Sequence, residues 1–278
     1  MSCSIVGSSY SIRTFTQPGL MVALLILFAF MSACGGGGGS DPGPGTGSGL
    51  PPLDSSKLNV LFVGNSLTYS NDLPGILAAF FEAANVGEFF IDDVSIGGTA
   101  LVDHWSAGRA RPEIERGGWD FVVMQQGPSA TEGRPLLLEY AEIFNTAITA
   151  TGAKSAMYMV WPAKVRFFDF DGVFDSYHTA AVNIGGYFFP GGEAWRVAWE
   201  TEPDLQFYGG DDFHPSPMGS YLVALVMFEQ ITGMSPVGLP SVVSTSNGVI
   251  SIPPERAEML QNVAVETNSR HALQKKKK

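Results

Sequence analysis

Short apolar runs alternate with amphipathic stretches along residues 57–236 of the 278-residue chain. Five runs have the length and composition of buried strands, at positions 58–63, 89–94, 119–124, 154–161 and 186–190. Apolar residues at helical spacing predict helices at 73–84, 136–150, 174–184 and 218–232. Continuous apolar strands that alternate with helices are typical of a parallel sheet covered on both faces. The pattern therefore predicts an α/β fold, a three-layer α/β/α sandwich with a central parallel sheet of about five strands.

A C-terminal extension, residues 237–278, follows this predicted domain. Its proline and serine residues predict irregular chain, with one short strand at 249–252. A helix is predicted at 253–265, because Pro254 falls in the first turn, where proline is tolerated. The pattern leaves open whether this helix packs back on the domain or binds a partner.

The first 34 residues have the features of an export signal. Arg13 precedes an apolar run at 19–31 that is too short for a comfortable membrane span and has the length of a signal-peptide core. The sequence MSAC at 31–34 resembles a bacterial lipobox, in which the cysteine receives lipid and becomes the new N-terminus. We interpret residues 1–34 as a lipoprotein signal peptide with lipidation at Cys34. An ordinary secretory signal and an uncleaved anchor are the alternatives.

Residues 35–56 are rich in glycine, serine and proline, which predicts a flexible tether between the lipid and the domain. Gly35 follows the cysteine where an inner-membrane retention signal would carry Asp. The resemblance to lipoproteins therefore implies export and anchoring in the cell envelope, at the outer membrane of a host with two membranes.

The net charge and the positions of cysteine and histidine argue against nucleic-acid binding, disulfides within the domain and a metal site. The formal net charge is −11, and such a surface repels phosphate backbones, which argues against nucleic acid as a partner. Both cysteines, Cys3 and Cys34, precede the folded region, so we expect no disulfide within it. No histidine or cysteine spacing typical of a metal site is present in the sequence, and no metal or other cofactor is expected.

Polar and glycine-rich residues follow three of the predicted strands. They are Gly64-Asn65-Ser66, then Ser95-Ile96-Gly97-Gly98, then Gln125-Gln126-Gly127. Ligands of parallel sheets bind at the carboxyl ends of the strands. Ser66 is a candidate nucleophile if a base takes its proton, and His214 is the candidate base. Asp211, three residues before His214, can fold back to orient the imidazole.

Together, and in this order, these residues resemble the SGNH/GDSL hydrolase family over nearly all of the predicted domain. The first family motif appears as FVGNSLT with Ser66 as nucleophile, and the last as DDFHPSPMGSY, which selects Asp211 over Asp212 as the partner of His214. The resemblance implies the flavodoxin-like fold of that family and ester hydrolysis by the triad Ser66, Asp211 and His214.

The second family motif appears as SIGGTAL, and its register favours Gly98 over Gly97 as an oxyanion-hole residue. Glycine lets the backbone N–H approach the oxyanion, and the N–H of Ser66 is expected to be a second donor. The third motif departs from the family, because MQQGPS at 124–129 replaces the usual Gly-x-Asn-Asp. The side-chain amide of Gln126, or next Gln125, is the predicted third donor, whereas simple register would choose Ser129.

Four residues near these motifs are predicted to contact substrate: Asn65, His104, Trp105 and Trp161. A structural or surface role is the alternative for His104, and packing in the core is the alternative for the tryptophans.

These features predict an exported carbohydrate O-acetylesterase or short-chain esterase that forms an acyl-enzyme on a small-molecule or polysaccharide ester. One alternative is a surface binding module on an inactive hydrolase scaffold. Another is an acyltransferase that uses the same triad with a sugar acceptor in place of water.

Overall fold

A five-stranded parallel sheet forms the centre of the computed structural model, which describes residues 49–273. The strands are Leu58–Gly64 (β1), Phe89–Ser95 (β2), Phe121–Met124 (β3), Lys154–Tyr158 (β4) and Tyr187–Phe189 (β5). Their spatial order is β2-β1-β3-β4-β5. Every neighbouring pair is parallel. The predicted parallel α/β sheet is therefore confirmed. The signal peptide, lipidation at Cys34 and the tether up to position 48 lie outside the described residues.

The carboxyl ends of β1, β2 and β3 meet at one end of the sheet. Gly64 at the end of β1 pairs with Ser95 at the end of β2, and Val63 pairs with Met124 at the end of β3. The order of the strands reverses between β1 and β3. Open α/β sheets bind their ligands at such a switch point, so the sheet itself places residues 65 and 66 where a ligand is expected.

Helices cover both faces of the sheet. They are Ser66–Tyr69 (α1), Leu73–Ala83 (α2), Leu101–Ala107 (α3), Ala110–Glu115 (α4), Arg134–Ala150 (α5), Phe170–Asn183 (α6), Gly191–Thr201 (α7), Pro217–Thr232 (α8) and Pro254–His271 (α9), with a 3-10 helix at Lys164–Asp169. Helices α3 to α6 pack together on one face, and α2, α7, α8 and α9 pack together on the other. The four helices predicted within residues 57–236 are all present, whereas α1, α3, α4, α7 and the 3-10 helix were not predicted.

Helix α8 is the core element of its layer. Its residues from Gly219 to Phe228 are all buried, because α2, α7 and α9 surround it. A helix that is apolar all round belongs in an interior, and this helix begins directly after the segment that carries Asp211 and His214.

The predicted fourth strand, 154–161, ends earlier, at Tyr158. The N–H of Met159 still donates to the carbonyl of Phe189 at 3.0 Å, but Pro162 has no N–H and the chain turns away from the sheet. Trp161 therefore lies in a buried connection beyond the strand.

The C-terminal region packs against the domain. Its predicted strand is present as Gly248–Ser251 (β7), in an antiparallel hairpin with Val242–Thr245 (β6). Helix α9 extends to His271, beyond the predicted end at 265, and packs on α7 and α8. Of the two alternatives for this helix, the structure shows packing on the domain. Among residues 49–273, no helix combines the length and the apolar character needed to cross a bilayer.

Candidate active site

Ser66 begins a tight helical turn directly after β1. Asn65 caps this turn, because its Oδ1 accepts the N–H of Leu67 at 3.0 Å and its backbone carbonyl accepts the N–H of Thr68 at 2.9 Å. Asn65 itself is extended, with φ −137° and ψ −154°, so the chain bends sharply between the strand and the helix. Leu67 and Thr68 are buried, whereas Ser66 is half-buried. The turn therefore presents the Ser66 hydroxyl at the carboxyl edge of the sheet.

Gln125, at the end of β3, holds this turn in place. Its Oε1 accepts the N–H of Asn65 and the hydroxyl of Thr68, both at 2.9 Å. Its Nε2 donates to Asn65 Oδ1 at 3.0 Å and to the carbonyl of Gln126. Both hydrogens of the amide are thus engaged in a side chain that is only 1% exposed. The structure contradicts the prediction of Gln125 as an oxyanion donor and gives it the task of positioning Asn65.

The side-chain amide of Gln126, the next residue, also has hydrogen-bond partners for its oxygen and for both of its hydrogens. Its Oε1 accepts the N–H of Leu101 at 3.1 Å, and its Nε2 donates to Ser129 Oγ at 2.8 Å and to the Gly133 carbonyl at 3.2 Å. The Ser129 hydroxyl donates to the Gly127 carbonyl at 2.9 Å. The prediction of Gln126 as a donor is therefore wrong, and so is the alternative of Ser129. These bonds connect the loop after β3 to Leu101 at the start of α3 and to Gly133 just before α5.

The turn after β2 carries Gly98 and is bound to the nucleophile turn. The N–H of Ile96 donates to the Gly64 carbonyl at 3.0 Å, and Nδ2 of Asn65 donates to the Thr99 carbonyl at 2.9 Å. Gly98 has φ 72°, in the left-handed region that favours glycine. A Cβ added to Gly98 would meet no atom within 4 Å. The backbone at Gly98 therefore borders an open space, in a turn that is hydrogen-bonded to the nucleophile turn.

Two backbone N–H groups are available for an oxyanion. Within residues 49–273, neither the N–H of Ser66 nor that of Gly98 has a hydrogen-bond acceptor. Ser66 is the first residue of α1, where a helix leaves N–H groups unpaired. Unpaired backbone N–H groups at such an edge suit the negative oxygen that forms during acyl transfer.

His104 supports the nucleophile turn from within the core. It is fully buried, with Nε2 2.7 Å from the Gly64 carbonyl and 2.9 Å from the Thr99 hydroxyl. Because a carbonyl only accepts, Nε2 carries the hydrogen, and Nδ1 has no partner among the described residues. Burial lowers the pKa of His104 and keeps it neutral. The predicted substrate contact is wrong, and the structural alternative is correct.

Asp211 and His214 lie in one tight loop before α8. Asp211 Oδ1 accepts the backbone N–H groups of Phe213 at 3.1 Å and His214 at 2.9 Å. The N–H of Gly209 donates to the His214 carbonyl at 2.7 Å and closes the loop. These bonds fold the Asp211 carboxylate back onto the imidazole of His214.

Ser66, His214 and Asp211 form a continuous chain of hydrogen bonds. Nε2 of His214 lies 2.8 Å from Ser66 Oγ, and Nδ1 lies 2.5 Å from Asp211 Oδ2. The bond to the imidazole, with the two backbone N–H bonds, lowers the pKa of Asp211 to about 2. The ionised carboxylate holds the hydrogen on Nδ1, so the Nε2 lone pair faces the Ser66 hydroxyl. The structure thus brings the three predicted catalytic residues together in the order that acyl transfer requires.

Trp161 holds the catalytic loop rather than lining the site. Its indole is fully buried and stacks on Trp195, with ring centroids 3.6 Å apart. Its Nε1 donates to the Phe213 carbonyl at 2.9 Å, one residue before His214. The predicted substrate contact is wrong, but the side chain still acts on the site through the backbone of the loop.

Asn65 is also misassigned as a substrate contact, whereas Trp105 is half-buried between helices. Asn65 is 6% exposed and is used in capping, as described above. Trp105 packs edge-on against Phe144 in the layer of α3 and α5, and Arg111 lies over its ring at 4.7 Å. These contacts place the Trp105 ring between helices, where it stabilises α3 against α5.

Sequence reasoning missed two exposed features at this edge. Tyr69 is 41% exposed and lies three residues after Ser66, a helical spacing that places both on one face. Val165 and Phe168, in the 3-10 helix, are 85% and 79% exposed. The N–H of Lys164 donates to the carbonyl of Asp212 at 2.9 Å, which holds this segment beside the catalytic loop. Within residues 49–273, no cluster of three or more potential metal ligands occurs.

Comparison with known proteins relates this arrangement to solved structures. Neither a protein-family model nor a curated protein matches the sequence. A candidate SGNH hydrolase from Slackia heliotrinireducens is 25% identical, with a TM-score of 0.55 over 64% of this chain and 100% of that chain. A DUF4886 family protein from Bacteroides uniformis is 17% identical, with a TM-score of 0.63 over 79% of this chain and 98% of that chain.

A lipase/acylhydrolase from Enterococcus faecalis is 15% identical, with a TM-score of 0.50 over 63% of this chain and 96% of that chain. These proteins share the fold despite low identity. In this chain, Ser66 of the first motif lies at the switch point of the sheet. The fold and the motifs together support an SGNH/GDSL-type hydrolase.

Proposed function

We propose that the protein hydrolyses carboxylic esters through an acyl-enzyme on Ser66. The observation that carries this proposal is the hydrogen-bonded chain from Ser66 Oγ through His214 to Asp211. A serine hydroxyl becomes a nucleophile when a neutral imidazole accepts its proton, and the ionised Asp211 stabilises the imidazolium that results.

In the first step, Ser66 Oγ attacks the ester carbonyl carbon while Nε2 of His214 takes the hydroxyl proton. The carbonyl oxygen becomes an oxyanion, which accepts hydrogen bonds from the N–H groups of Ser66 and Gly98. The bond between the carbonyl carbon and the alcohol oxygen then breaks. His214 gives its proton to the leaving alcohol, and the acyl group remains on Ser66.

In the second step, water attacks the acyl carbon and His214 takes the proton of the water. The bond to Ser66 Oγ breaks, and His214 returns a proton to that oxygen. The free acid leaves, and Ser66, His214 and Asp211 regain their starting states. The two steps together consume one water molecule for each ester and use only residues of this chain to transfer protons.

The open geometry of the site favours esters with a short acyl chain on a bulky alcohol, as in an acetylated carbohydrate. The imidazole of His214 is 36% exposed and the Asp211 side chain 53% exposed, so a polymer can approach the triad from solvent. Two cavities of about 300 and 360 Å³ have other residues as their lining. Because Trp161 is buried away from the site and Trp105 packs between helices, the carbohydrate proposal relies on this openness.

The proposed location is the cell envelope, with a lipid on Cys34 and the outer membrane as destination. The support is the sequence alone, namely the apolar run at 19–31 and MSAC at 31–34. The test is metabolic labelling with a radioactive fatty acid in a bacterial host. Label on the wild type and none on Cys34→Ser are expected, whereas equal labelling of both proteins contradicts lipidation at this cysteine.

The activity is tested with p-nitrophenyl acetate, butyrate and octanoate, and with acetylated xylan. We expect turnover of acetyl esters by the wild type and loss of it in Ser66→Ala, with circular dichroism to show that the variant folds. Equal activity in the variant contradicts the proposal. Release of p-nitrophenol that requires an added sugar acceptor, with the acyl group recovered on the sugar and not as free acid, identifies an acyltransferase. A protein without turnover, and without labelling of Ser66 by a fluorophosphonate, fits the binding module instead.

A further inference from the structure

The proposed oxyanion site has two backbone donors but no side-chain donor from the third motif. Both hydrogens on Nε2 of Gln125, and both on Nε2 of Gln126, have acceptors within the protein. The Ser129 hydroxyl donates to a backbone carbonyl. A third donor, if the site has one, must therefore come from another part of the chain.

Tyr69 lies where such a donor is needed. It is the last residue of α1, and residues three apart on a helix lie on the same face, about 5–6 Å apart at Cβ. Leu67 and Thr68, between them, are buried, so Ser66 and Tyr69 form the exposed face of this turn. The Tyr69 ring consequently shares the space in front of Ser66.

The Tyr69 hydroxyl also reaches the glycine turn. A Cβ built on Gly97 would lie 2.8 Å from the Tyr69 oxygen, so this oxygen is packed against the peptide that leads to the Gly98 N–H. The hydroxyl has no hydrogen-bond partner among residues 49–273. One phenol hydrogen is thus available beside the two available backbone N–H groups.

The C-terminal hairpin fixes the backbone that carries Tyr69. At the tip of the hairpin, Asn247 Nδ2 donates to the carbonyls of Tyr69 at 3.3 Å and Ser70 at 3.4 Å. The N–H and the hydroxyl of Ser246 both donate to Asp72 Oδ2 at 2.7 Å. Contacts from residues 174 to 178 positions away therefore hold the backbone at the end of α1, from which the Tyr69 side chain extends.

We propose that the Tyr69 hydroxyl is the third donor to the oxyanion and takes the place of the side chain that the third motif supplies elsewhere in the family. This inference rests on the proposed ester hydrolysis and adds a catalytic residue to it. The hydroxyl keeps its proton throughout. Its hydrogen bond strengthens as the carbonyl oxygen gains negative charge, so it lowers the barrier more than it tightens substrate binding.

The test is Tyr69→Phe in the full-length protein, because this change keeps the ring and removes only the hydroxyl. We expect kcat for p-nitrophenyl acetate to fall on the order of 100-fold with KM nearly unchanged. The inhibition constant of a trifluoromethyl ketone, which forms an oxyanion on Ser66, should rise by a similar factor. Tyr187→Phe is the matched control, because Tyr187 begins β5 at the opposite edge of the sheet.

The outcomes separate this inference from the proposed function. Wild-type activity that requires Ser66, together with unchanged kcat in Tyr69→Phe, overturns the inference alone. A change confined to KM also overturns it, because the hydroxyl would then bind substrate and transition state alike. Absence of turnover by the wild type overturns the proposed function and the inference with it. Thermal melting of both tyrosine variants shows whether any loss of activity reflects unfolding.

Discussion

Two neighbouring aspartates in the catalytic loop differ in what their side chains contact. Asp211 accepts two backbone N–H groups and the imidazole of His214. Asp212 has φ 56° and directs its carboxylate to the Lys164 ammonium at 3.1 Å, on the solvent side. The last motif selected Asp211 by register, and the loop geometry gives the physical reason for that choice.

Asp211→Asn should lower kcat by about 10³–10⁴-fold. The amide oxygen can still accept the N–H groups of Phe213 and His214, but the amide nitrogen then faces Nδ1 of His214. A donor at that position favours hydrogen on Nε2, which removes the lone pair that Ser66 needs. Steady-state kinetics check this expectation, and Asp212→Asn is the matched control with activity near wild type. Equal losses in both variants would show that charge in the loop, not the tautomer, matters.

The buried His104 predicts a pH-dependent stability. Burial lowers its pKa in the folded protein below the ordinary value of 6.5. As the pH falls below 6.5, His104 becomes protonated in the unfolded chain but stays neutral in the folded protein. The free energy of unfolding therefore decreases with falling pH. The slope for one proton is at most about 1.4 kcal/mol per pH unit.

His104→Gln should reduce this dependence, because a glutamine amide can donate to the Gly64 carbonyl as Nε2 does, without titrating. Urea unfolding at several pH values between about 7 and about 5 measures the difference in the free energy of unfolding between the wild type and the variant. The advantage of the wild type should shrink toward the acid end. His271, whose pKa is also lowered, chiefly by burial, is present in both proteins and cancels from the difference. A constant difference would contradict the assignment.

The parts of the site that could be predicted from the sequence are those formed by residues close together in the chain. The loop from Asp211 to His214 and the turn at Ser66 are each encoded within a few residues, so their motifs could be read directly. The tasks of the two glutamines depend on contacts between distant residues, such as Gln125 with Asn65, 60 positions away. No spacing in the chain reveals such a contact, and the choice between a catalytic and a structural glutamine required the fold.

At the scale of elements, the connection after β4 joins the core to the catalytic loop. Trp161 donates to the Phe213 carbonyl, whereas its stacking partner Trp195 donates to the Gly219 carbonyl in α8 at 3.2 Å. The two indoles share one stack and differ in what they hold, namely the catalytic loop and a core helix.

Trp161→Phe should therefore lower kcat about fivefold, because part of the aromatic packing remains while the loop that orients His214 loses one hydrogen bond worth about 1 kcal/mol. Trp195→Phe is the matched control. It should lower the melting temperature by a comparable amount but leave kcat nearly unchanged. Thermal melts and initial rates on p-nitrophenyl acetate measure the two effects. A kcat that follows the melting temperature in both variants would contradict a positioning role for Trp161.

The sheet and the helices α2, α5, α6 and α8 could be predicted because their apolar periodicity is strong. Most of the missed helices are short, and α7, with 11 residues, is the exception. Helices α3 and α4 have seven and six residues, too few for a clear helical period. The missed α3 explains why His104 was assigned to the substrate, because His104 is a buried position of that helix. Trp105, the next residue, packs between α3 and α5. The strand predicted at 154–161 was too long because apolar composition alone does not distinguish a strand from a buried connection.

At the scale of the whole molecule, the C-terminal region completes the layer that supports the catalytic loop. Helix α9 buries Ala257, Leu260, Val263 and Ala264 against the rest of the protein. Its neighbour α8 follows the catalytic loop directly, so α9 contacts the helix that anchors that loop. The hairpin before α9 contacts the end of α1 on the other side of the site. One C-terminal region therefore supports both the nucleophile turn and, through α8, the loop of the catalytic base.

Leu260→Ala tests whether α9 contributes to stability without taking part in catalysis. Leu260 is fully buried, so its truncation should lower the free energy of unfolding by about 2–5 kcal/mol. The kcat of the folded fraction at low temperature should remain near wild type, because no atom of α9 is assigned to the reaction. Glu258→Ala, two residues away and exposed, is the control and should change stability by about 0.5 kcal/mol or less. A folded Leu260→Ala protein with a tenfold lower kcat would show instead that α9 sets the position of the catalytic loop through α8.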